Sequence, residues 1–306
     1  MFAARFGLVI GSALAALSPA YAQTPRPALP ELKFVEIPAG AREHFAGDRF
    51  SYMEAGKADA PPVLLLHGIG ANSFYWRHQY AGLSDRYRLI AWNAPGYILT
   101  DPLKKERPTC TDYADALAVF ADAMGVQRFA LAGNSFGSAI ALCFAEKHLA
   151  RVTRLALSGV SIGAKNTPPA EREAVFQRRQ KQFEAAGGMK YARDVIGLLT
   201  GPATPARAKP EIMEVLSATS GRGYLQASFV PYELDVLAFA GKIAVPVLIY
   251  QGTEDKIAPI ARNAEPLAKA LPNVKLVRLE NFGHLPDVED PDRANALLRE
   301  FLGDAK

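Results

Sequence analysis

Cysteine is nearly absent, since the chain of 306 residues has only Cys110 and Cys143. Their spacing is not that of a zinc site, and a chain of this length buries a core large enough to fold without disulfide staples. An oxidising compartment would permit the two to pair. Cys143 lies in an apolar helical pattern, however, so we expect a buried free thiol. We expect no bound metal and no cofactor.

Charge of one sign is also lacking. The 35 Lys and Arg residues nearly balance the 31 Asp and Glu residues, which leaves a formal net charge of +4, and the basic residues are scattered. Nucleic-acid-binding domains instead carry concentrated basic patches. We therefore expect no nucleic-acid partner. The hydrophobic fraction of 49% is that of a globular domain.

Long apolar runs are missing as well. The apolar stretch at residues 6–17 is too short to span a bilayer comfortably. It follows Arg5 and precedes an A-x-A pattern at residues 20–22, which is the layout of a secretory signal peptide. We predict a signal peptide at 1–22, a mature start at Gln23, a periplasmic or secreted protein, and no stable membrane span after processing. The alternatives are an N-terminal anchor or a wrongly assigned start codon.

Short apolar segments alternate with helical patterns along most of the chain. Residues 63–66 and 247–250 are continuously apolar, as strands buried on both faces of a parallel sheet are. Strands that alternate with helices predict an α/β fold with a mostly parallel, doubly wound sheet. The predicted strands are 50–54, 63–66, 88–92, 129–133, 155–158, 247–250 and 276–279, and the clearest helices are 112–124, 136–147 and 294–302.

This alternation stops between residues 161 and 240. That stretch shows helical segments and no convincing strand. We therefore predict a core formed by residues 23–160 and 241–306, interrupted by a helical insertion at 161–240.

Residues 133–137 match the pattern G-x-S-x-G between a predicted strand and a predicted helix. So tight a turn strains the serine backbone, and glycines on both sides relieve the crowding. The serine hydroxyl then stands at a helix N-terminus, where backbone amides favour developing negative charge. Ser135 is therefore the predicted nucleophile. The alternative is a glycine-rich turn with an incidental serine.

A serine hydroxyl needs a general base, and His284 is placed to provide it. His284 follows the last predicted strand and precedes the last helix, so a loop at the carboxyl edge of the sheet would deliver it. Asp255 follows the strand at 247–250 and is the predicted acid that orients His284. The adjacent Glu254 is the alternative acid.

An oxyanion hole requires two backbone amides aimed at the developing charge. Phe136, directly after the serine, would supply one. The second should come from the loop after the strand at 63–66, where the amide of Ile69 is preferred and that of Gly70 is the alternative.

Together these motifs resemble the α/β-hydrolase superfamily, and within it the capped esterases, lactonases and carbon–carbon bond hydrolases. The resemblance implies an α/β-hydrolase fold, a triad of Ser135, Asp255 and His284, and a helical cap domain at 161–240. The matching segments lie in the family's order within residues 49–303, at 67–70, 92–97, 133–137, 252–255 and 283–284.

Departures from the family pattern bear on the substrate. Residues 95–100 read P-G-Y-I-L-T where relatives often have P-G-x-G-x-S. Leu285 stands where carbon–carbon bond hydrolases commonly have an aromatic residue, and those enzymes have a longer oxyanion loop than residues 68–71 provide. Both differences count against cleavage of a carbon–carbon bond. Ser135 excludes the usual mechanism of epoxide hydrolases and haloalkane dehalogenases, which use an aspartate nucleophile.

The pocket is harder to predict than the triad. The residues that flank the motifs and could touch substrate are His67, Gly68, Asn134 and Leu285, with Ile69 and Phe136 beside them. For Trp92, Phe229 and Tyr232, pocket lining and ordinary packing remain open.

The leading hypothesis is a cofactor-free serine hydrolase that cleaves a small carboxylic ester or lactone through an acyl-enzyme. The partner is then a small-molecule substrate, and the oligomeric state is not predicted. Two other activities could use the same triad: cleavage of a carbon–carbon bond, and perhydrolase or haloperoxidase chemistry. A non-catalytic binding protein that keeps the fold is a further alternative.

Overall fold

The computed structural model describes residues 26–303, which fold around one eight-stranded sheet. The strands are β1 Leu32–Glu36, β2 Arg49–Ala55, β3 Pro62–Leu66, β4 Arg88–Trp92, β5 Phe129–Asn134, β6 Val152–Ser158, β7 Val247–Gly252 and β8 Val274–Leu279. Their spatial order is β1-β2-β4-β3-β5-β6-β7-β8. The pairs β1–β2 and β2–β4 are antiparallel and all others are parallel, which confirms the predicted mostly parallel sheet. The predicted signal peptide lies outside the described residues.

Helices cover both faces of the sheet because strand side chains alternate between the faces. Leu64 and Leu66 of β3 pack in the same core cluster as α2 and α3, whereas Val63 and Leu65 pack with α1 and α10. This arrangement is the doubly wound layering that the sequence predicts. The helices are α1 Arg77–Leu83, α2 Cys110–Ala123, α3 Phe136–His148, α4 Pro169–Leu199, α5 Ala208–Ser217, α6 Gly221–Ser228, α7 Val230–Glu233, α8 Ala264–Ala270, α9 Pro286–Glu289 and α10 Pro291–Leu302.

Strand β1 is missing from the strands predicted from the sequence, the first of which is 50–54. The strand lies at the edge of the sheet and pairs only with β2. None of its five side chains is buried. An edge strand of this kind needs no apolar alternation, so its sequence carries no strand pattern.

The segment between β6 and β7 holds helices α4 to α7 and, within the described residues, no strand. These four helices lie within residues 169–233, inside the range 161–240 for which the sequence predicts a cap. The longest helix, α4, is interrupted at Gly187, whose φ of +63° lies in the left-handed region that favours glycine. Helix α4 is therefore bent at this residue. Its C-terminal residue, Leu199, contacts the loop that follows β8.

Cys110 and Cys143 form a disulfide, which corrects the expectation of a buried free thiol. Cys110 begins α2 and Cys143 lies in α3, and these two helices pack against each other in one core cluster. Their Cα atoms are 6.2 Å apart, a separation that a disulfide spans. The helical pattern correctly predicts a buried Cys143, but it cannot show which residue of a neighbouring helix faces it.

Removing this disulfide is expected to destabilise the fold. The two cysteines are 33 residues apart, and closing a loop of that length is worth roughly 4 kcal/mol of unfolding free energy. A variant with Cys110→Ala and Cys143→Ala should unfold about 8 °C lower in a thermal scan. Dithiothreitol should leave the melting temperature of that variant unchanged. Equal melting temperatures for the wild type and the double variant would contradict the prediction.

Candidate active site

Ser135 occupies the turn between β5 and α3. Its φ is +53° and its ψ is −113°, a strained combination for a residue with a side chain. The amide of Ser135 donates to the carbonyl of Ser158 at 2.8 Å, which holds the turn against β6. A Cβ atom on Gly137 would lie 2.0 Å from the Leu66 carbonyl oxygen, so only glycine allows α3 to approach β3 this closely.

Strand register brings the loop after β3 to the same place. Leu66 pairs with Gly133 in adjacent parallel strands, so the residues two positions later in each strand lie side by side. A Cβ atom on Gly68 would be 3.3 Å from the Cβ atom of Ser135. The backbone of Gly68 and Ile69 therefore borders Ser135, at the carboxyl edge of the sheet where α/β proteins bind ligands.

His284 and Asp255 meet in the loops that follow β8 and β7. The Nδ1 atom of His284 is 2.8 Å from the Oδ2 atom of Asp255, and both side chains are buried. Glu254 is exposed, and its backbone amide donates to the Phe282 carbonyl. Of the two predicted acids, the structure therefore places Asp255 against His284.

The carboxylate of Asp255 is held at both oxygens. Oδ1 accepts from the amides of Ile257 and Ala258 at 2.9 and 2.8 Å, and Oδ2 also accepts from Gln251 Nε2 at 3.1 Å. Burial raises the pKa of Asp255, but the charge and hydrogen bond of His284 and the two amides outweigh it, so this pKa lies below its ordinary value. Asp255 is therefore an anion at neutral pH.

Backbone contacts fix the loop that carries His284. Its amide donates to the carbonyl of Leu199, the last residue of α4, at 2.8 Å. Its carbonyl accepts from the Asn134 side chain at 3.0 Å. The histidine is thus held from one side by the helical insertion and from the other by the residue before Ser135.

The Glu289 carboxylate also fixes the loop that carries His284. It accepts from the amides of Gly283 and Leu285 at 3.0 Å each, and these two residues flank His284. It also accepts from the amide of Gly201, just beyond α4, at 2.9 Å. One buried carboxylate therefore joins the end of α4 to the His284 loop.

A second buried carboxylate, Asp287, has no counterpart in the sequence-based prediction. Its two oxygens accept from three hydroxyl groups, those of Tyr250 at 2.6 Å and of Tyr75 and Ser158 at 2.9 Å. Complete burial raises the pKa of Asp287, and the three hydroxyl groups offset part of that rise. Because Ser158 Oγ also accepts from Asn134, the network reaches the residue next to Ser135.

Two adjoining cavities border Ser135, called here the large lobe and the small lobe. The large lobe has a volume of about 390 Å³ and the small lobe about 120 Å³. The walls of the large lobe are mostly apolar and come largely from the helical insertion. Five residues border both lobes: Ile69, Ser135, Arg179, Ile257 and His284.

Most of the residues predicted to flank the pocket do line this cavity. Gly68, Asn134 and Leu285 border the large lobe, and Phe136 borders the small lobe. Sequence reasoning missed the walls that the insertion supplies, because its helices carry no motif. These missed residues include Arg178, Arg179, Gln182, Tyr191, Val195 and Tyr224.

The aromatic candidates and His67 lie elsewhere. Trp92 is buried in the core beneath the sheet edge. The Phe229 ring packs against Phe176 at a tilt of 34°, and Tyr232 packs against Phe229 within the insertion. None of these three, nor His67, is among the residues that border the two lobes. The structure therefore corrects the prediction that His67 is a pocket residue.

The two candidates for the second oxyanion amide differ in their surroundings. The amide of Gly70 points at the hydroxyl oxygen of Tyr97, 3.4 Å away. Ile69 borders both lobes together with Ser135, whereas Gly70 borders neither. The arrangement favours the amide of Ile69 over that of Gly70, with Phe136 as the other donor.

His67 instead fastens the loop after β3. Its Nε2 atom accepts from the amide of Ala94 at 3.1 Å, so the proton is on Nδ1, which donates to the Gly68 carbonyl at 2.8 Å. Burial lowers the pKa of His67 to about 4, and the bond to Gly68 opposes this only in part. The His67 side chain is therefore neutral in the folded protein at neutral pH.

His67 is expected to make stability pH-dependent. Its pKa is about 4 when folded and about 6.5 when unfolded, so between these values only the unfolded chain binds the proton. Unfolding free energy should fall as pH falls through this window, by roughly 3 kcal/mol from this residue. Urea unfolding at several pH values should show a shallower loss for His67→Asn than for the wild type. Parallel pH profiles for the two proteins would contradict the assignment.

No helix within residues 26–303 is both long and apolar enough to cross a bilayer. No group of three or more His, Cys, Asp or Glu side chains in the same range is arranged to hold a metal ion.

Comparisons with known proteins agree with this architecture. A family model described as alpha/beta hydrolase fold matches residues 61–291. The chain is 27% identical over 251 residues to an Escherichia coli protein provisionally named carbamate hydrolase, covering 80% of this chain and 92% of that one. Among solved structures, a thermophilic esterase from Thermogutta terrifontis matches with a TM-score of 0.77 and 23% identity, covering 89% and 98% of the two chains. An enol-lactonase from Burkholderia xenovorans matches with a TM-score of 0.74 and 22% identity, covering 84% and 98%.

Proposed function

We propose that this chain, a hydrolase that belongs to the α/β-hydrolase family, is a cofactor-free serine hydrolase that cleaves a small carboxylic ester or lactone through an acyl-enzyme. One observation carries the proposal. A buried pair, His284 and Asp255, is joined by a hydrogen bond of 2.8 Å at the same cavity as a strained serine, Ser135.

In the proposed reaction each residue has one step. Because Nδ1 of His284 faces Asp255, its Nε2 atom is left to accept the proton of Ser135 Oγ as that oxygen bonds to the substrate carbonyl carbon. Asp255 stabilises the imidazolium that forms. The proton then passes to the leaving alcohol oxygen as the ester bond breaks, which leaves Ser135 acylated.

Deacylation follows the same route with water. His284 takes a proton from water, the hydroxide bonds to the acyl carbon, and the proton returns to Ser135 Oγ as the acid is released. The amides of Ile69 and Phe136 hold the negative oxygen in both halves. Losing one such donor typically costs about 3 kcal/mol of transition-state stabilisation.

The two lobes support cleavage of a substrate with unequal parts. Both are lined by Ser135 and His284, so a carbonyl at these residues would place its acyl group and its alcohol in different lobes. The mostly apolar large lobe would take the more apolar part. A lactone would place its ring across the junction.

A substrate panel tests which bond is cleaved. We expect the wild type to hydrolyse short and medium 4-nitrophenyl esters or a γ-lactone, with turnover independent of added metal or cofactor. A carbamate and a vinylogous diketone belong in the same panel. Preference for the diketone by orders of magnitude over every ester and lactone would instead favour carbon–carbon bond hydrolysis. Turnover only with hydrogen peroxide would favour perhydrolase chemistry.

We also propose export to the periplasm or the medium. The signal-peptide pattern at residues 1–22 motivates this, and the disulfide between Cys110 and Cys143 supports it because such bonds persist in oxidising compartments. Mass spectrometry of protein from its native host should find an N-terminus at Gln23. An intact Met1 on cytoplasmic protein would overturn the proposal.

A further inference from the structure

The charged residues around the cavity are all of one sign. They are Arg178 and Arg179 of α4, which border the large lobe. No Asp or Glu of the described chain borders either lobe. The nearby carboxylates of Asp255, Asp287 and Glu289 lie behind the walls, and each already accepts hydrogen bonds from protein groups. The cavity therefore presents positive charge without a compensating anion at its walls.

Arg179 has the central position. It is half-buried and borders both lobes, together with Ser135 and His284. On the same helix, Arg172 pairs with Glu233 and Lys190 pairs with Asp194. No carboxylate within residues 26–303 forms an ion pair with Arg179. Within the described residues, Arg178, Lys181 and Arg193 of α4 form no ion pair either, so Arg179 is distinguished by its position at both lobes rather than by the lack of a partner.

The surroundings of Arg179 make an anionic ligand favourable. Tyr191 and Tyr224 line the large lobe, and burial raises the pKa of the Tyr224 hydroxyl while the Arg179 charge opposes that rise. A guanidinium partly removed from water beside aromatic and aliphatic side chains loses hydration that a carboxylate can replace. Its planar donors match the two oxygens of a carboxylate.

We propose that the substrate carries a carboxylate on an otherwise apolar body and that Arg179 binds this carboxylate while the ester or lactone carbonyl lies at Ser135. The inference rests on the proposed hydrolase function and adds to it a substrate class. Arg178, which is exposed on the same wall, adds to the positive potential at the entrance.

Matched substrates test the proposal. One pair places the charge on the acyl side, 4-nitrophenyl hexanoate against the half-ester of adipic acid. The other places it on the alcohol side, phenyl butyrate against 4-carboxyphenyl butyrate. In at least one pair, we expect the anionic member to have a kcat/KM at least tenfold higher for the wild type. Arg179→Met should lower kcat/KM for that anionic substrate by roughly 10- to 100-fold, the range expected for a charge-assisted hydrogen bond, and for its neutral partner less than about threefold.

Lys181→Met is the control. Lys181 is exposed on the same helix and borders neither lobe, and its replacement removes the same single positive charge. It should leave the preference intact. Arg179→Lys should retain part of it. If the wild type hydrolyses both members of each pair equally well, or Lys181→Met removes the preference as fully as Arg179→Met, the inference is overturned while the hydrolase function stands. If no ester of either kind is hydrolysed, the proposed function is overturned with it.

Discussion

Ser135→Ala is expected to abolish covalent labelling by a fluorophosphonate probe and to reduce ester turnover on the order of a millionfold. The alanine leaves the cavity, His284 and the oxyanion amides in place but removes the only atom that can form the acyl-enzyme. Intact-mass spectrometry should show one adduct on the wild type and none on the variant.

Ser161→Ala is the matched control for this experiment. Ser161 also borders the small lobe, but its hydroxyl oxygen accepts a hydrogen bond from the Gly163 amide at 3.3 Å. This variant should label and turn over as the wild type does. Persistent labelling of Ser135→Ala, or loss of labelling in Ser161→Ala alone, would contradict the assignment of the nucleophile.

Asp255→Asn is expected to lower kcat roughly ten-thousandfold with a small change in KM. An asparagine would present an NH₂ group to His284 Nδ1, and the imidazole would then carry its proton on Nε2, where the Ser135 proton must go. The amides of Ile257 and Ala258 can still bind the asparagine oxygen, so the loop should keep its shape. Steady-state kinetics and a thermal scan measure the two effects separately.

Glu254→Gln is the control next to it in sequence. Glu254 is exposed, so this substitution leaves the hydrogen bond between His284 and Asp255 in place. We expect turnover within about threefold of the wild type, since surface substitutions away from such features have small effects. A large loss in Glu254→Gln combined with a mild one in Asp255→Asn would make Glu254 the acid.

Local patterns explain why much of the site could be predicted. The turn at Ser135 needs glycines at fixed positions between a strand and a helix, so its sequence carries the geometry. The loops that carry Asp255 and His284 follow apolar strands directly, and parallel strands deliver such loops to one edge of the sheet. These are relations between neighbours in sequence, and a single sequence displays them.

The remaining parts depend on contacts between distant segments. Asp287 accepts hydrogen bonds from the hydroxyl groups of Tyr75 and Tyr250, which lie on other elements. No residue spacing in the sequence predicts that network. The disulfide depends on how α2 and α3 pack. Arg179 is indistinguishable in sequence from the solvated arginines around it, and only the fold turns it toward the cavity. The sequence misplaces His67 because a motif does not show that its first side chain turns away from the pocket that the following residues line.

The contacts of Leu199 and Gly201 bear on any attempt to change the enzyme's substrate range by exchanging helical segments. Leu199 accepts the amide hydrogen of His284, and Gly201 shares the Glu289 carboxylate with the two residues that flank that histidine. A transplanted segment that ends elsewhere would leave the histidine's backbone without its acceptor. Chimeras should therefore be joined before residue 199 and should retain residues 199–204, so that new walls can be introduced while the histidine keeps its support.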